Sequence, residues 1–151
     1  MIRKRVLLVA SAGGHWVQLS RLSPAFDAFD TYYVTTMQGA TAPSGQRAVA
    51  TVPDASRSTP LRFAGLLLRA VWILLSFRPH VVVTTGAAPG LVILQLGKLL
   101  RCRTIWIDSL ANSEELSLSG RFAKRYADLW LTQWPHLADT DPKLQYYGAV
   151  L

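Results

Sequence analysis

The first residues of this sequence that could do chemistry form a glycine-rich loop from Ser11 to His15, Ser-Ala-Gly-Gly-His. Gly13 and Gly14 would let the backbone turn tightly, so that an anion could approach the free N–H groups and the positive dipole end of a following helix. The spacing matches neither the dinucleotide-binding fingerprint nor the Walker A loop. We expect Ser11, Gly13 and Gly14 to contact an anion, and a purely structural tight turn is the alternative.

His15 is the candidate base of this loop. The dipole at a helix N-terminus disfavours the cationic imidazole, so we expect a neutral side chain that accepts a proton. Transfer of a group to a hydroxyl needs such a base. The alternative is a histidine that only caps the helix or packs locally. His80 and His136 are predicted to be structural or to lie at the surface.

A second glycine loop, Thr-Thr-Gly-Ala-Ala-Pro-Gly, occupies residues 84–90. It follows a predicted buried strand and precedes a predicted helix, so the topology of a parallel sheet should bring it next to the first loop. Two helix N-termini could then face one ligand, and a diphosphate would satisfy both. We expect Thr85, Gly86 and Gly90 to belong to this site; two ordinary turns between strand and helix are the alternative.

A third polar segment, residues 108–115, carries three carboxylates after the next predicted strand. Carboxylates near an anion site suit sugar hydroxyls or general-base chemistry better than phosphate contacts, because like charges repel. Asp108 is therefore a candidate catalytic residue and Asn112 a candidate ligand-binding residue. Glu114 and Glu115 could simply begin a helix. We expect neither a metal nor a cofactor.

Residues 61–77 are apolar nearly all round, whereas a helix that packs on a sheet needs only one apolar stripe. Arg69 interrupts the run, which falls short of the ~20 residues of a membrane span. The pattern favours a helix that lies in a membrane interface. A buried crossover helix and a contact with a partner protein are the alternatives. The predicted membrane-contacting residues are Leu61, Arg62, Phe63, Leu66, Arg69, Trp72 and Ile73.

Predicted strands alternate with predicted helices along the chain. We expect strands at residues 6–10, 31–36, 48–52, 80–85, 104–108 and 129–133, and an extended segment at residues 146–151. We expect helices at residues 15–22, 60–77 with Thr59 as the cap, 91–100 and 117–127. The alternation predicts an α/β fold, a Rossmann-like domain with a parallel sheet and ligands beyond the carboxyl ends of the strands.

Composition narrows the function classes. The 151 residues, half of them apolar, suit one domain with a real core. The net charge of +7 favours anionic partners, although it could serve solubility alone. The basic residues are scattered and no nucleic-acid-binding motif occurs, so we expect no nucleic-acid partner. Cys102 is the single cysteine, which excludes an intramolecular disulfide and a cysteine-based metal cluster, and fits a reducing compartment. The apolar run at residues 6–10 is too short for a signal peptide or a span.

Four segments stand out together: Ser-Ala-Gly-Gly-His, Thr-Thr-Gly-Ala-Ala-Pro-Gly, Ile-Trp-Ile-Asp-Ser-Leu-Ala-Asn and Gln-Tyr-Tyr-Gly-Ala-Val-Leu. In combination they resemble the bacterial polysaccharide-biosynthesis glycosyltransferase subunits. These are similar to the membrane-recruiting acceptor subunit of the eukaryotic two-part UDP-GlcNAc transferase and, more distantly, to the N-terminal half of the peptidoglycan lipid-intermediate GlcNAc transferase, a GT-B enzyme.

The resemblance implies that residues 1–151 form one domain, the N-terminal half of GT-B, whose two glycine loops hold the acceptor diphosphate. A partner polypeptide, the donor-binding subunit, would supply the C-terminal half and the UDP-sugar. The chain would then bind acceptor and membrane in a two-component glycosyltransferase that transfers the sugar to a polyprenyl-diphosphate-linked saccharide. It would act peripherally at the cytoplasmic face of the inner membrane.

Two other functions stay open. One is a non-catalytic membrane anchor that recruits a complete transferase, and the other is a stand-alone nucleotide-binding enzyme. The eukaryotic subunit has an N-terminal membrane helix that we do not find here, so residues 61–77 or another protein would provide attachment. The apolar closing segment is the expected partner interface, with Tyr146, Tyr147, Val150 and Leu151.

Overall fold

This computed structural model describes residues 2–56 and 58–150. Short apolar runs, most of them buried on both faces, form the strands of a parallel sheet. The strands are β1 Arg5–Ala10, β2 Asp30–Thr35, β3 Ala48–Thr51, β4 Val81–Thr84, β5 Arg103–Ile107, β6 Leu129–Thr132 and β7 Leu144–Tyr146. The helices are α1 Gly14–Leu22, α2 Pro60–Phe77, α3 Ala88–Leu99, α4 Leu118–Ala123 and α5 Pro135–Ala138. A 3₁₀ turn, Ser23–Phe26, follows α1.

All paired strands run parallel, in the order β3-β2-β1-β4-β5-β6-β7. Val9 of β1 lies between Val34 of β2 and Thr84 of β4. The winding direction of the chain reverses between β1 and β4, and such a switch point opens a crevice beyond the carboxyl ends of the strands. The predicted α/β fold with a Rossmann-like parallel sheet is confirmed.

The core lies on both faces of the sheet, which explains why the β1 run is continuously apolar. Leu7 and Val9 face the layer that contains α2 and α3. Val6 and Leu8 face the layer that contains α1, where Trp16 packs edge-on against Tyr33. Both layers cover the middle of the sheet, so the polar loops beyond the ends of the strands are left uncovered.

Helix α2 has the predicted bounds but not the predicted cap. Pro60 occupies the start of the helix, as expected. The side chain of Thr59 does not cap it: its hydroxyl accepts from Ser56 N at 3.1 Å and donates to the Ser56 carbonyl at 3.2 Å. The helix ends where Arg78 adopts a left-handed conformation (φ 51°) ahead of Pro79, the predicted break.

The last quarter of the chain differs from the sequence prediction. Helix α4 stops at Ala123 instead of continuing to residue 127, and turns follow it. The terminal strand was expected at residues 146–151; instead β7 begins at Leu144, whose side chain is buried. Gly148 has φ 111° and ends any extended run. The short α5 and the 3₁₀ turn after α1 were not predicted.

Candidate functional site

The two glycine loops lie side by side at the switch point, because β1 and β4 are neighbours. Ser11 N donates to the Gly86 carbonyl at 3.0 Å, and Thr85 N donates to the Val9 carbonyl at 3.3 Å. The predicted adjacency of the loops is therefore confirmed. Ser11 is buried, whereas Gly13 (φ 80°) and Gly14 are exposed at the start of α1.

His15 and Thr85 join the loops by a reciprocal pair of hydrogen bonds. The imidazole Nδ1 lies 2.8 Å from the Thr85 carbonyl oxygen, and the Thr85 hydroxyl donates to the His15 carbonyl at 2.7 Å. A carbonyl can only accept, so Nδ1 carries the proton of this bond. In the neutral imidazole Nε2 is then the unprotonated nitrogen, which is the form that a general base needs.

Two glycines of the second loop are required for different reasons. A Cβ at Gly86 would lie 2.9 Å from the His15 imidazole, so this position has to lack a side chain. A Cβ at Gly90 would lie 2.1 Å from the Thr84 hydroxyl. Gly90 is buried in the first turn of α3, so the structure assigns it to the packing of that helix on β4 rather than to the ligand contact that the sequence suggested.

A cavity of about 230 Å³ opens beside these loops. It lies between the start of α1, the start of α3 and the loop that follows β5. Within the described residues, no side chain caps α1 at Gly13 or α3 at Ala87, so an anion could approach the N-terminus of either helix, although Pro89 gives α3 one N–H fewer. The lining includes His15, Gly86, Ala87, Ser109, Asn112 and Ser117.

Asp108 holds the third loop in place instead of facing the cavity. Its side chain is 1% exposed. One carboxylate oxygen accepts from Trp106 Nε1 at 3.1 Å and from the Ser117 hydroxyl at 2.6 Å. The other accepts from Ser117 N at 2.9 Å and from Asn112 Nδ2 at 3.3 Å. Asp108 does not line the cavity and its buried carboxylate is bonded to its own segment, so its geometry does not match the expected role as a base.

A buried amide pair beneath the cavity was missed by the sequence interpretation. Gln18 Oε1 accepts from Gln133 Nε2 at 2.7 Å and from Leu110 N at 3.1 Å, and Gln18 Nε2 donates to the Ser109 hydroxyl at 3.1 Å. Gln133 Nε2 also donates to the Asp108 carbonyl at 2.9 Å. The available signals were a glutamine next to the apolar stripe of α1 and another directly after β6.

The expected partner interface is only partly open. Tyr147 is 78% exposed and Tyr146 is 40% exposed. Val150 is half-buried and is held by its own chain, because its N–H donates to Gln133 Oε1 at 2.8 Å. Leu151 lies outside the described residues.

Helix α2 presents both a core face and an exposed apolar face. Leu66 and Ile73 are fully buried against the sheet, so the sequence prediction that they contact a membrane is wrong. Leu61 and Trp72 are exposed, and Phe63 is half-buried. Leu68 and Leu75 enlarge the exposed face although the sequence interpretation did not name them.

The two predicted cations of α2 lie on its exposed side. Arg62 and Arg69 are both exposed, and the guanidinium of Arg69 lies 5.2 Å from the Trp72 ring centroid. By length and composition, α2 could also cross a membrane; its mean hydropathy is 1.6 and 22% of it is buried.

The groups with a shifted pKa, Cys102, Asp128 and Asp141, lie away from the cavity, before the amino ends of β5, β6 and β7. Burial raises the pKa of the Cys102 thiol, which donates to the Pro79 carbonyl. The one Asp-x-Asp triplet, Asp139 to Asp141, also precedes the amino end of a strand, β7. Asp141 forms a salt bridge with Lys124. Among the described residues, no group of three or more His, Cys, Asp or Glu side chains could hold a metal ion.

Residues 44–150 match the sequence family described as "Oligosaccharide biosynthesis protein Alg14 like". Over 79 residues the chain is 40% identical to the UDP-N-acetylglucosamine transferase subunit ALG14 of Eremothecium gossypii, covering 48% of this chain and 35% of that protein. The ALG14 subunit of Yarrowia lipolytica is 35% identical over 88 residues, covering 54% and 41%. The Mus musculus subunit is 27% identical over 85 residues, covering 52% and 39%. The chain thus spans less than half the length of these relatives.

Solved structures share the fold at low sequence identity. MurG of Acinetobacter baumannii superposes with a TM-score of 0.70 at 11% identity, covering 87% of this chain and 42% of that chain. UDP-N-acetylglucosamine 2-epimerase from Rickettsia bellii superposes with a TM-score of 0.73 at 12% identity, covering 98% and 45%. In each case the matched part of this chain corresponds to less than half of the larger protein.

These findings correct the resemblance to bacterial polysaccharide-biosynthesis subunits. The curated relatives are eukaryotic, from fungi and mouse, and each is named as a subunit of a UDP-N-acetylglucosamine transferase. By the extent of the family match, the chain belongs to the Alg14-like oligosaccharide biosynthesis proteins.

Proposed function

We propose that this chain is the acceptor- and membrane-binding subunit of a two-component UDP-N-acetylglucosamine transferase. The main support is the cavity beyond the ends of β1 and β4, which we call the cleft. Two uncapped helix starts and the His15 imidazole converge on it. The fungal and mouse relatives are named as subunits of a UDP-N-acetylglucosamine transferase, which supports UDP-N-acetylglucosamine as the sugar donor. The chain contributes one domain, and a partner polypeptide contributes the domain that binds the UDP-sugar.

The acceptor is a saccharide linked to a polyprenyl diphosphate. The free N–H groups and positive dipole ends of α1 and α3 suit the diphosphate, and the net charge of +7 adds long-range attraction. Ser11, Gly13 and Gly14 shape one helix start, and Thr85 and Gly86 shape the other. Asn112 lines the opposite side of the cavity, where an amide can hydrogen-bond sugar hydroxyls.

His15 acts as the general base. Its Nε2 takes the proton of the acceptor hydroxyl as that oxygen forms a bond to the anomeric carbon of the donor sugar. The bond from the anomeric carbon to the UDP oxygen breaks, and UDP leaves with the electron pair. The Thr85 carbonyl orients the ring through Nδ1. Asp108 fixes the loop that carries Asn112.

The exposed face of α2 attaches the chain peripherally to a membrane, where the acceptor resides. Leu61, Leu68 and Trp72 enter the lipid boundary, and Arg62 and Arg69 face anionic headgroups. We place this at the cytoplasmic face, which suits a chain with one reduced, buried cysteine.

The test is transfer of GlcNAc from UDP-GlcNAc to a prenyl-diphosphate-linked sugar by the chain together with a partner captured on it. His15→Ala should lower turnover at least about 100-fold, because the base is lost. Gel filtration should show the complex intact. His80→Ala is the matched control, since this exposed histidine directly precedes β4, at the amino ends of the strands and away from the cavity.

The same experiment separates the other functions. Unchanged turnover in His15→Ala would instead support a non-catalytic anchor that recruits a complete transferase. Calorimetric binding of UDP-GlcNAc to the chain alone would support a stand-alone nucleotide-binding enzyme.

A further inference from the structure

An apolar groove of about 590 Å³ lies next to the cleft, between the start of α2, the first half of α3, and α4. Its volume falls in the range of small-molecule sites, about 300–1,000 Å³. The apolar lining is supplied by Phe63, Leu91, Val92, Leu118, Phe122 and Tyr126. Arg125 is the single charged side chain among the described lining residues.

The groove and the cleft adjoin each other. Leu118 and Ser119 line both, and the consecutive residues Ala87 and Ala88 line the cleft and the groove respectively. One ligand can therefore place a polar end at the helix starts and an apolar end between the helices. That combination matches an amphiphile rather than a free sugar or a nucleotide.

The walls of the groove are apolar side chains that the fold leaves partly in water. Leu118 is 67% exposed and Phe122 is 42% exposed on α4. Covering apolar surface of this kind stabilises a complex by about 25 cal/mol per Å². Phe63 in the first turn of α2 lines the groove, so the groove borders both the cleft and the helix with the exposed apolar face.

We propose that this groove binds the first isoprene units of a prenyl diphosphate whose diphosphate lies at the starts of α1 and α3. The inference rests on the proposed function and adds a binding site for the lipid part of the acceptor. The groove receives the part of the lipid that adjoins the diphosphate. The rest of the chain leaves past Phe63 toward the bilayer that contacts α2. No carboxylate occurs among the described residues that line the cleft or the groove, so none repels the diphosphate there.

Calorimetric titration of the full chain without membranes tests this. The probes are inorganic pyrophosphate and dimethylallyl, geranyl and farnesyl diphosphate, each below its micelle concentration. Affinity should rise about tenfold with each added isoprene unit until the groove is filled, after allowance for the ordering of the chain.

Phe122→Ser and Leu118→Gln should each lower the ratio of farnesyl diphosphate to pyrophosphate affinity about tenfold. Both side chains are substantially exposed, so the fold should survive, and circular dichroism checks this. Leu99→Gln is the matched control: Leu99 is 76% exposed near the other end of α3 and should leave the ratio unchanged.

The outcomes separate this proposal from the proposed function. Pyrophosphate binding with no dependence on prenyl length would overturn the groove and leave the cleft standing. A length dependence that both groove variants preserve would also overturn it, because the tail would then lie elsewhere. No binding of any diphosphate would refute the anion site, and the groove inference with it.

Discussion

His15 and Gly86 lie so close that a Cβ at position 86 would sit 2.9 Å from imidazole Nδ1. The two residues come from different loops, 71 positions apart, and the neighbouring strands β1 and β4 bring them together. The orientation of the imidazole therefore depends on the absence of a side chain in the other loop.

Gly86→Ala should displace the His15 ring and reduce transfer by at least about tenfold. Gly148→Ala is a close control, because Gly148 has φ 111° against 110° for Gly86 but no atom within 4 Å of the added Cβ. Both variants carry the strain of a positive φ, about 1–3 kcal/mol. Equal turnover in the two would show that the contact with His15 has no effect.

Thr85→Val should destabilise the protein, because it leaves the carbonyl of His15 without its 2.7 Å hydroxyl donor. The expected loss is about 1–3 kcal/mol in the free energy of unfolding, measured by urea denaturation. Thr41→Val is the control at an exposed position. A loss no larger than that of the control would mean that the bond contributes nothing to stability.

Asp108→Asn should lower stability by about 2–4 kcal/mol, since an amide N–H₂ would confront donors where a carboxylate oxygen now accepts. If Asp108 is a positioning residue, the variant should keep the pH profile of transfer while its KM for the acceptor rises. Loss of the acidic limb, the fall in activity at low pH that protonation of a general base causes, would instead make Asp108 the base. Asp139→Asn, at an exposed site, provides the comparison.

Leu68→Gln combined with Trp72→Gln should weaken binding to vesicles of phosphatidylcholine and phosphatidylglycerol about tenfold or more. Both side chains are exposed, so unfolding should not contribute. Cosedimentation measures the effect, and Leu99→Gln serves as the control on a different helix. Equal sedimentation of both proteins would show that α2 does not contact lipid.

Stability should fall in acid partly through Asp128. Burial alone would raise the pKa of this carboxyl, but hydrogen bonds from Lys98 and Thr104 hold it below its ordinary value. A depressed folded-state pKa stabilises the protein above the unfolded value, about 3.9, and that contribution disappears as the pH falls through the folded value. Urea unfolding between pH 2 and 7 should show a shallower acid loss in Asp128→Asn than in Asp139→Asn.

The sheet and the two glycine loops could be predicted because their signals are local. The apolar runs of β1 and β4 are uninterrupted, and a glycine follows each strand within three residues. The bounds of α2 followed from Pro60 and Pro79. The wrong start of β7 has a local cause: burial of Leu144 sets the register, whereas the more conspicuous tyrosines after it are exposed.

The roles within the site could not be predicted in the same way. Asp108 resembles a catalytic carboxylate in sequence, and only the positions of Trp106 and Ser117 show that its oxygens are occupied. Leu66 and Ile73 could not be told apart from Leu61 and Trp72, since an all-apolar helix does not reveal which face meets the sheet. The hydrogen bond between the side chains of Gln18 and Gln133 could not be predicted either, because it joins residues 115 positions apart.

The central location of β1 and β4 has a consequence for selectivity. Each strand pairs with the other and with a further neighbour, so the floor of the cleft is anchored from both sides. Widening it would break backbone hydrogen bonds of the ladder, so we expect a rigid receptor that keeps its width when an acceptor arrives. The affinity for the acceptor should then fall sharply when its sugar is slightly bulkier, because the cleft cannot widen to admit it.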